Sequence, residues 1–252
     1  MRTEVQAYLQ RIEFEGIPKN DFATLRHLQF QHLITVPYEN LDIMRDIPIS
    51  LKIEDVYKKV VERGRGGYCF ELNGLFAWLL RSLGFTVAEH MARYLRGEQE
   101  IPMRRHRVLK VTCVDGDYLC DVGVGDTIPL VPLPIKYGVV NQQKMERYKL
   151  ENEPFLGNVL YEWKKNEWRK IYSFTEEKQL NIDYIMPSFY CEKHPDSYFR
   201  TMDMVHIFTK DGRKTVAGRE IKLFSPNHVN VIVAGTEAAF KELLEVHFKI
   251  RI

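Results

Sequence analysis

Cysteine is scarce in this chain. Four in 252 residues are far too few to staple a fold together, which excludes a disulfide scaffold. Charge of one sign is missing as well. Thirty-six Lys and Arg stand against 34 Asp and Glu, a formal net charge of +2, without the basic excess or stripe of a dedicated nucleic-acid binder. Long hydrophobic runs are absent too. The longest apolar stretches, Leu75–Leu80 and Val229–Ala234, are core segments, well short of the roughly 18 residues that a membrane span needs. The first residues, MRTEVQAYLQRIEFEG, have no apolar h-region, so no signal peptide is expected. Four thiols and no secretory signal read as free cysteines in a reducing cytoplasm. No internal repeat, low-complexity tract or charge block interrupts the chain, and nothing in the sequence fixes an oligomeric state.

What is present is an ordinary soluble composition, 45% apolar and 28% charged, in a chain long enough for one or two domains and a small third piece. The hydrophobic period changes along it. Residues 1–84 read mainly as helices. Thr3 and Gln6 make a capping-box pattern, followed by Val5, Tyr8, Leu9 and Ile12 at helical spacing and stopped by Gly16 and Pro18. A second helix is predicted from Asp21 to Ile34, and a third stripe runs through Ile53, Val56, Tyr57 and Val60 to Gly64. The clearest face is Leu72, Leu75, Phe76, Leu79, Leu80 and Leu83, closed by Gly84.

Beyond Gly84 the period turns to two. Thr86–Tyr94 is extended, and β-rich runs flank Asp115-Gly116, the strongest hairpin signal in the chain. Ribbons near 146–163 and 168–174 suggest a meander or small barrel. A third region from near Tyr190 carries a hairpin at Asp211-Gly212, a strand at Val229–Val233 and a last helix through Phe240, Leu243, Leu244 and His247. The expected architecture is α+β in three parts: a helical bundle over 1–84, a β-barrel over 85–189 and an α/β lid over 190–252.

The segment RGRGGYCFELNGLFAWLLRSLG, residues 63–84, concentrates the chemistry. Cys69 follows a Gly66-Gly67 turn and opens the best helix, three residues before Leu72 on its buried face. A thiol there meets the positive end of the helix dipole and unpaired amides, both favouring the nucleophilic thiolate. A buried, inert cysteine is the competing reading. A cysteine nucleophile needs a base and an orienting group. His27, His32 and His247 lie on helices and read as structural. His106, where a loop enters a strand in MRRHRVLKV, is placed as a base, and Asp121 in YLCDVGVG is an acid among apolar strand residues that needs a partner. A two-residue turn at Asp115-Gly116 puts His106 and Asp121 on one face of the hairpin but four positions apart, about 13 Å, so a bend is required.

The run RGGYCFELN, with His106 and DVGVG downstream and VPYENL at residues 36–41, resembles the arylamine N-acetyltransferase family. The likeness is specific between about residues 30 and 125 and looser afterwards, where HPDSYF (residues 194–199) and the last helix fit the general plan. It implies a Cys69–His106–Asp121 triad on a papain-like or transglutaminase-like core. It also implies acetyl-CoA as cosubstrate, no permanently bound cofactor, and an arylamine or hydrazine as acceptor, acetylated by a ping-pong route through an acetyl-cysteine. The same resemblance assigns Tyr38, Val124 and Phe199 to the acceptor pocket, and Arg104 and Gly125 to CoA. Val124 stands where the family often has an aromatic residue, and Tyr38 where Phe is common.

Other motifs are weaker. There is no P-loop, and Gly123-Val124-Gly125 lacks the third glycine of a dinucleotide fingerprint. Arg104, Arg105, Arg107 and Lys110 surround His106 and suit either phosphate contacts or a solvated strand edge. Cys191-x-x-His194 with Cys113 and Cys120 makes no zinc spacing, so no metal is expected. Glu39 and Asn40 read as packing groups and Arg65 as an ion-pair partner. The alternative for the same nucleophile, base and acid is a peptidase-like or transglutaminase-like cysteine hydrolase, and a third class is a non-catalytic binding module.

Overall fold

Four apolar stripes become four helices in the computed structural model, which describes residues 2–252. Val5, Tyr8 and Leu9 are buried on α1 (Thr3–Arg11). The expected capping box does not form there: Thr3 is already helical, and Arg2 holds the cap position without a side-chain bond. α2 (Phe22–Thr35) is capped by Asp21, which accepts the Thr24 N–H at 2.8 Å. β1 (Tyr38–Glu39) is two residues long. The third stripe holds α-geometry only through α3 (Ile53–Tyr57), then loosens into a π-turn, Lys58–Glu62. That wider turn brings the Lys59 ammonium within 2.7 Å of Asp42 and 2.9 Å of Glu71. α4 (Cys69–Ser82) is buried along almost its whole length.

From Gly84 onward the chain builds an eight-stranded antiparallel sheet. Its strands are β2 (Thr86–Tyr94), β3 (His106–Cys113), β4 (Gly116–Cys120), β5 (Leu133–Pro134), β6 (Asn141–Gln143), β7 (Glu146–Glu153), β8 (Gly157–Lys164) and β9 (Glu167–Phe174), in the order β5-β4-β3-β2-β9-β8-β7-β6. The sheet curls nearly shut. Gln143 bonds both the N–H and the carbonyl of Val131 at 3.1 and 3.0 Å, stitching the two ends across the gap. Leu150, Leu160, Ile171 and Phe174 fill the interior. α4 packs against β2 and β3, so the helical core and the barrel share a wall.

The barrel and helices are tied by one buried cation. Arg107 is 2% exposed, and its Nε donates to Glu89 at 2.6 Å and its Nη1 to the Phe70 carbonyl at 3.0 Å. Its guanidinium plane lies 4.3 Å from the Tyr184 ring. Arg107 is therefore not a surface phosphate ligand. Breaking one side of such a pair leaves a buried charge and typically costs about 3–5 kcal/mol.

The last part begins with α5 (Ile185–Lys193) and builds a five-stranded antiparallel sheet, β1-β10-β11-β12-β13, from β10 (Met204–Phe208), β11 (Arg213–Ala217), β12 (Glu220–Ser225) and β13 (His228–Val233). α6 (Glu237–Phe248) covers one face with Phe240, Leu244 and Phe248. β1, from the helical part, supplies the first strand of this sheet. Among the described residues no helix is long and apolar enough to cross a membrane, and no three His, Cys, Asp or Glu side chains cluster to hold a metal. All four cysteines are free and buried.

His32 is structural and has a pH consequence. Its ring sits between Tyr8 (6.0 Å) and Phe76 (5.4 Å), with neither nitrogen bonded to the protein. Burial, with Arg11 nearby, takes its pKa from 6.5 down to about 3. As pH falls below 6.5 the unfolded chain takes up this proton first, so the stability contributed by neutral His32 is complete above 6.5 and drains away towards 3. Urea unfolding at pH 7 and pH 5 checks this. His32→Phe is expected to lose about 2 kcal/mol less than the wild type between those two pH values, whatever its stability at pH 7. Equal losses in both proteins would remove His32 from the acid response.

Candidate active site

Two features of the chain place Cys69. A β-carbon on Gly66 would sit 1.9 Å from the Pro37 carbonyl oxygen, so only glycine lets the turn pass β1 at this distance. Glu71 then accepts the Tyr68 N–H at 3.1 Å and starts α4, with Lys59 holding its other oxygen at 2.9 Å. Arg65 joins Glu39 and Asp42, both at 2.8 Å, as the ion-pair partner its position suggests. The thiol is 2% exposed.

Its sulfur faces the entry to β3. The thiol donates to the Arg105 carbonyl at 3.8 Å, and the backbone amides of Arg107 and Phe70 favour its ionised form. His106 follows Arg105 directly and lines the same cavity as the thiol. Burial pushes the Cys69 thiol well above its ordinary range, with Cys191 and Asp121 adding to the rise and the two amides opposing it. The helix start alone therefore does not make a thiolate, a correction to the expectation from the dipole: removing water from the sulfur outweighs it.

His106 donates from Nε2 to Asp121 Oδ2 at 2.7 Å. That bond leaves Nδ1 as the free edge of the ring, with its lone pair available. Asp121, 3% exposed, spends its other oxygen on Asn73 Nδ2 and the Gly123 N–H, each at 2.8 Å. The approach is closer than the sequence register allowed. The hairpin turns at Val114-Asp115, with Cys113 opposite Gly116, one step earlier than the Asp115-Gly116 signal. Asp115 is engaged elsewhere, accepting the Phe22 N–H at 2.7 Å. Continuing this register sets Asp121 opposite Val108, two residues from His106, or about 7 Å, and the chain bends off β4 to cover that distance. Gly123 allows the bend, since a β-carbon there would lie 2.6 Å from Cys69 Cα.

A cavity of about 520 Å³ opens on these groups, lined by Cys69 and His106 together with Tyr38, Val124, Gly125 and Phe199. Four of the five residues expected near acceptor or CoA thus meet in one space, Gly125 pressed against the Tyr38 ring. Arg104 is not among the lining groups; it stands outside, paired with Glu177 at 3.4 Å. Arg105 lines the cavity instead, held to Glu98 at 2.8 Å, and so does Arg96, held to Asp126 at 2.8 Å. Lys110 pairs with Glu176 and Asp117 at 3.3 and 3.5 Å. Sequence reasoning passed over Asn73, which also donates to the Arg107 carbonyl at 2.7 Å and accepts the Val122 N–H at 3.0 Å. A signal existed: Asn73 is one turn after Cys69 on a helix face otherwise apolar.

Several known proteins resemble this chain in sequence and in shape. The family described as N-acetyltransferase matches residues 21–252. An arylamine N-acetyltransferase of Mycolicibacterium smegmatis is 36% identical over 88% of this chain and 82% of its own length. The solved arylamine N-acetyltransferase of Salmonella typhimurium superposes with a TM-score of 0.94 at 28% identity, covering 99% of this chain and 92% of that one. The Mycobacterium marinum arylamine N-acetyltransferase in complex with CoA gives 0.89 at 32% identity, over 98% and 92%.

A desolvated thiol is hard to ionise unless a base takes up its proton, and His106 is the imidazole that lines the cavity beside Cys69 with its ring fixed by a carboxylate. The rate of inactivation by iodoacetamide, followed against pH, is expected to reach half its maximum at least ~2 pH units higher in His106→Gln than in the wild type. Superimposed profiles would separate the imidazole from the thiol.

Proposed function

Since the chain belongs to the arylamine N-acetyltransferase family and is an enzyme of that kind, we propose that it transfers acetyl from acetyl-CoA to arylamines or hydrazines by a ping-pong route through acetyl-Cys69. The observation that carries this reading is the placement of His106. It directly follows the residue whose carbonyl accepts from the Cys69 thiol, it lines the same cavity as that thiol, and Asp121 fixes its ring.

The steps follow from that geometry. The Cys69 thiol passes its proton to His106 Nδ1, and the sulfur attacks the thioester carbonyl of acetyl-CoA. The Cys69 amide, at the head of α4, is the oxyanion donor in this proposal. The tetrahedral adduct collapses, the C–S bond to CoA breaks, and the imidazolium protonates the departing CoA thiolate. One thioester replaces another, so the acetyl-enzyme is neither a deep well nor a high ridge. A neutral arylamine nitrogen then attacks the acetyl carbonyl, His106 takes the proton from nitrogen, and Cys69 leaves as the thiolate before recovering that proton. Throughout, Asp121 holds the Nε2–H tautomer and balances the imidazolium.

For the donor, the M. marinum relative bound to CoA supports acetyl-CoA as cosubstrate. Arg105 and Arg96, rather than Arg104, are the cations within the cavity, and the Gly125 backbone lines the same cavity, packed against the Tyr38 ring. Tyr38, Val124 and Phe199 form the apolar surround for the acceptor ring. Four free thiols fit a reducing cytoplasm. A hydrolase of peptidase or transglutaminase type is not favoured, because the proteins matched over nearly the full chain are acetyltransferases.

Acetyl-CoA without amine is expected to add a single acetyl group to the peptide carrying Cys69, discharged by aniline to give acetanilide and abolished in Cys69→Ala. Intact-protein mass spectrometry after rapid quench reads it, and an unmodified Cys69 would sink the route. Asp121→Asn is expected to lower turnover roughly 10³–10⁴-fold, since an amide neither fixes the tautomer nor balances the charge. Steady-state rates beside a melting curve check this; near-normal turnover in a folded variant would excuse Asp121 from catalysis.

A further inference from the structure

One wall of the cavity is the inner face of the five-stranded sheet. Tyr38 on β1, His206 on β10 and Thr215 on β11 are in direct register, Tyr38 opposite His206 and His206 opposite Thr215. Residues in register project to one side of a sheet, and all three line the cavity. They form a polar row between Met204 and Ala217 on one side and Phe208 on the other, since those positions are two residues away on the same face.

The arginines and the imidazole of the candidate site that line the cavity are already satisfied. Arg96 is held by Asp126 and by Glu162, Arg105 by Glu98, and His106 by Asp121. His206 is the exception. It is 4% exposed, and its Nε2 is buried without a partner among the described residues. The Phe208 ring packs against it edge-on with centroids 4.6 Å apart. Among the described residues no protein hydrogen bond fixes which nitrogen of the imidazole is turned to the cavity. Burial brings its pKa down to about 4, Asp126 raising it and Arg213 lowering it, so the ring is neutral at ordinary pH. A neutral imidazole offers one donor and one acceptor.

Resting on the acetyl-transfer reading above, we propose that His206 determines acceptor choice, favouring arylamines whose ring carries a neutral hydrogen-bonding substituent, above all a phenolic hydroxyl. A hydroxyl satisfies the unpartnered nitrogen. A methyl group in the same place leaves it orphaned, the kind of mismatch by which polar sites reject apolar analogues. A carboxylate brings a charge to a cavity whose lining arginines, Arg96 and Arg105, are already paired. Arg213, opposite Phe208 on the same face, lies outside the lining with its guanidinium over the Phe224 ring.

Three amines of similar size test this: 4-aminophenol, 4-methylaniline and 4-aminobenzoate. Their rate constants for discharging the acetylated enzyme are compared between wild type, His206→Leu and His206→Gln, so that differences in amine nucleophilicity cancel. The ratio of 4-aminophenol to 4-methylaniline is expected to fall about tenfold in His206→Leu and to be largely restored by Gln, which keeps a donor and an acceptor. The ratio of 4-aminophenol to 4-aminobenzoate is expected to fall in the same variant. Calorimetric binding of 4-acetamidophenol against 4-methylacetanilide gives the same comparison without any chemical step. It therefore holds even if Cys69 never acquires an acetyl group, the result that would instead overturn the acetyl-transfer reading. Ratios in His206→Leu within twofold of the wild type, by rate and by binding, would overturn the role of His206.

Discussion

A single buried carboxylate holds the candidate site together. Asp121 takes hydrogen bonds from the ring of His106 at the start of β3, from Asn73 on α4 and from the backbone of Gly123. A carboxylate so far from water is tolerated only when its oxygens are bonded, and here each bond comes from a different piece of chain. The helix that carries the thiol and the strand that carries the imidazole are therefore fixed relative to one another by the need to satisfy one charge. Gly123 belongs to the same constraint: its backbone must approach both Asp121 and the Cys69 main chain.

Around this point the interior is organised by paired charges rather than by apolar packing alone. Lys59 bridges Asp42 and Glu71, Arg65 bridges Glu39 and Asp42, and Arg107 joins Glu89 to the Phe70 carbonyl. Such groups add little net stability over apolar replacements, but they tolerate few alternative arrangements. The turn before Cys69 is thus pinned from below by Lys59 through Glu71 and from the side by Arg65 through Glu39. The same accounting extends into the cavity, where Arg96 and Arg105 arrive already neutralised. Selectivity there falls to the neutral groups on the sheet wall.

Much of this was legible in the residues, and the failures have physical reasons. The leucine face of α4 and the extended run of β2 are long, strongly periodic segments, and both emerged with the bounds their patterns suggest. His106 and Asp121 share a face because parity survives a two-position change of register. The register itself did not survive, because Asp115 is recruited by the α2 N-terminus, a tertiary contact invisible to turn propensity. Arg104 and Arg105 are adjacent basic residues with no local signal to separate them; strand direction sends Arg105 to the cavity and its neighbour to Glu177. The ionisation of Cys69 was misjudged because a helix-terminus argument counts dipoles but not the water removed. His206 lies in MVHIF, an unremarkable strand, and only the pairing of distant strands reveals that its face meets Tyr38.

β1 is two residues long, yet it is bonded on both sides. Glu39 N–H reaches the Gly67 carbonyl at 2.8 Å, while the same strand pairs with β10 at Tyr38–His206 and Glu39–Val205. Asn40 adds bonds to the Phe199 and Met202 carbonyls at 2.8 and 2.9 Å. The C-terminal sheet is consequently buckled to the loop that bears the thiol. It cannot swing outward as a hinged plate without either unzipping these bonds or dragging the Gly66-Gly67 turn along with it. Access to the cavity is therefore left to smaller movements, of rotating side chains on its lining such as Tyr198 and Met204. The traffic of a long thioester and a flat amine must be threaded past a fixed frame.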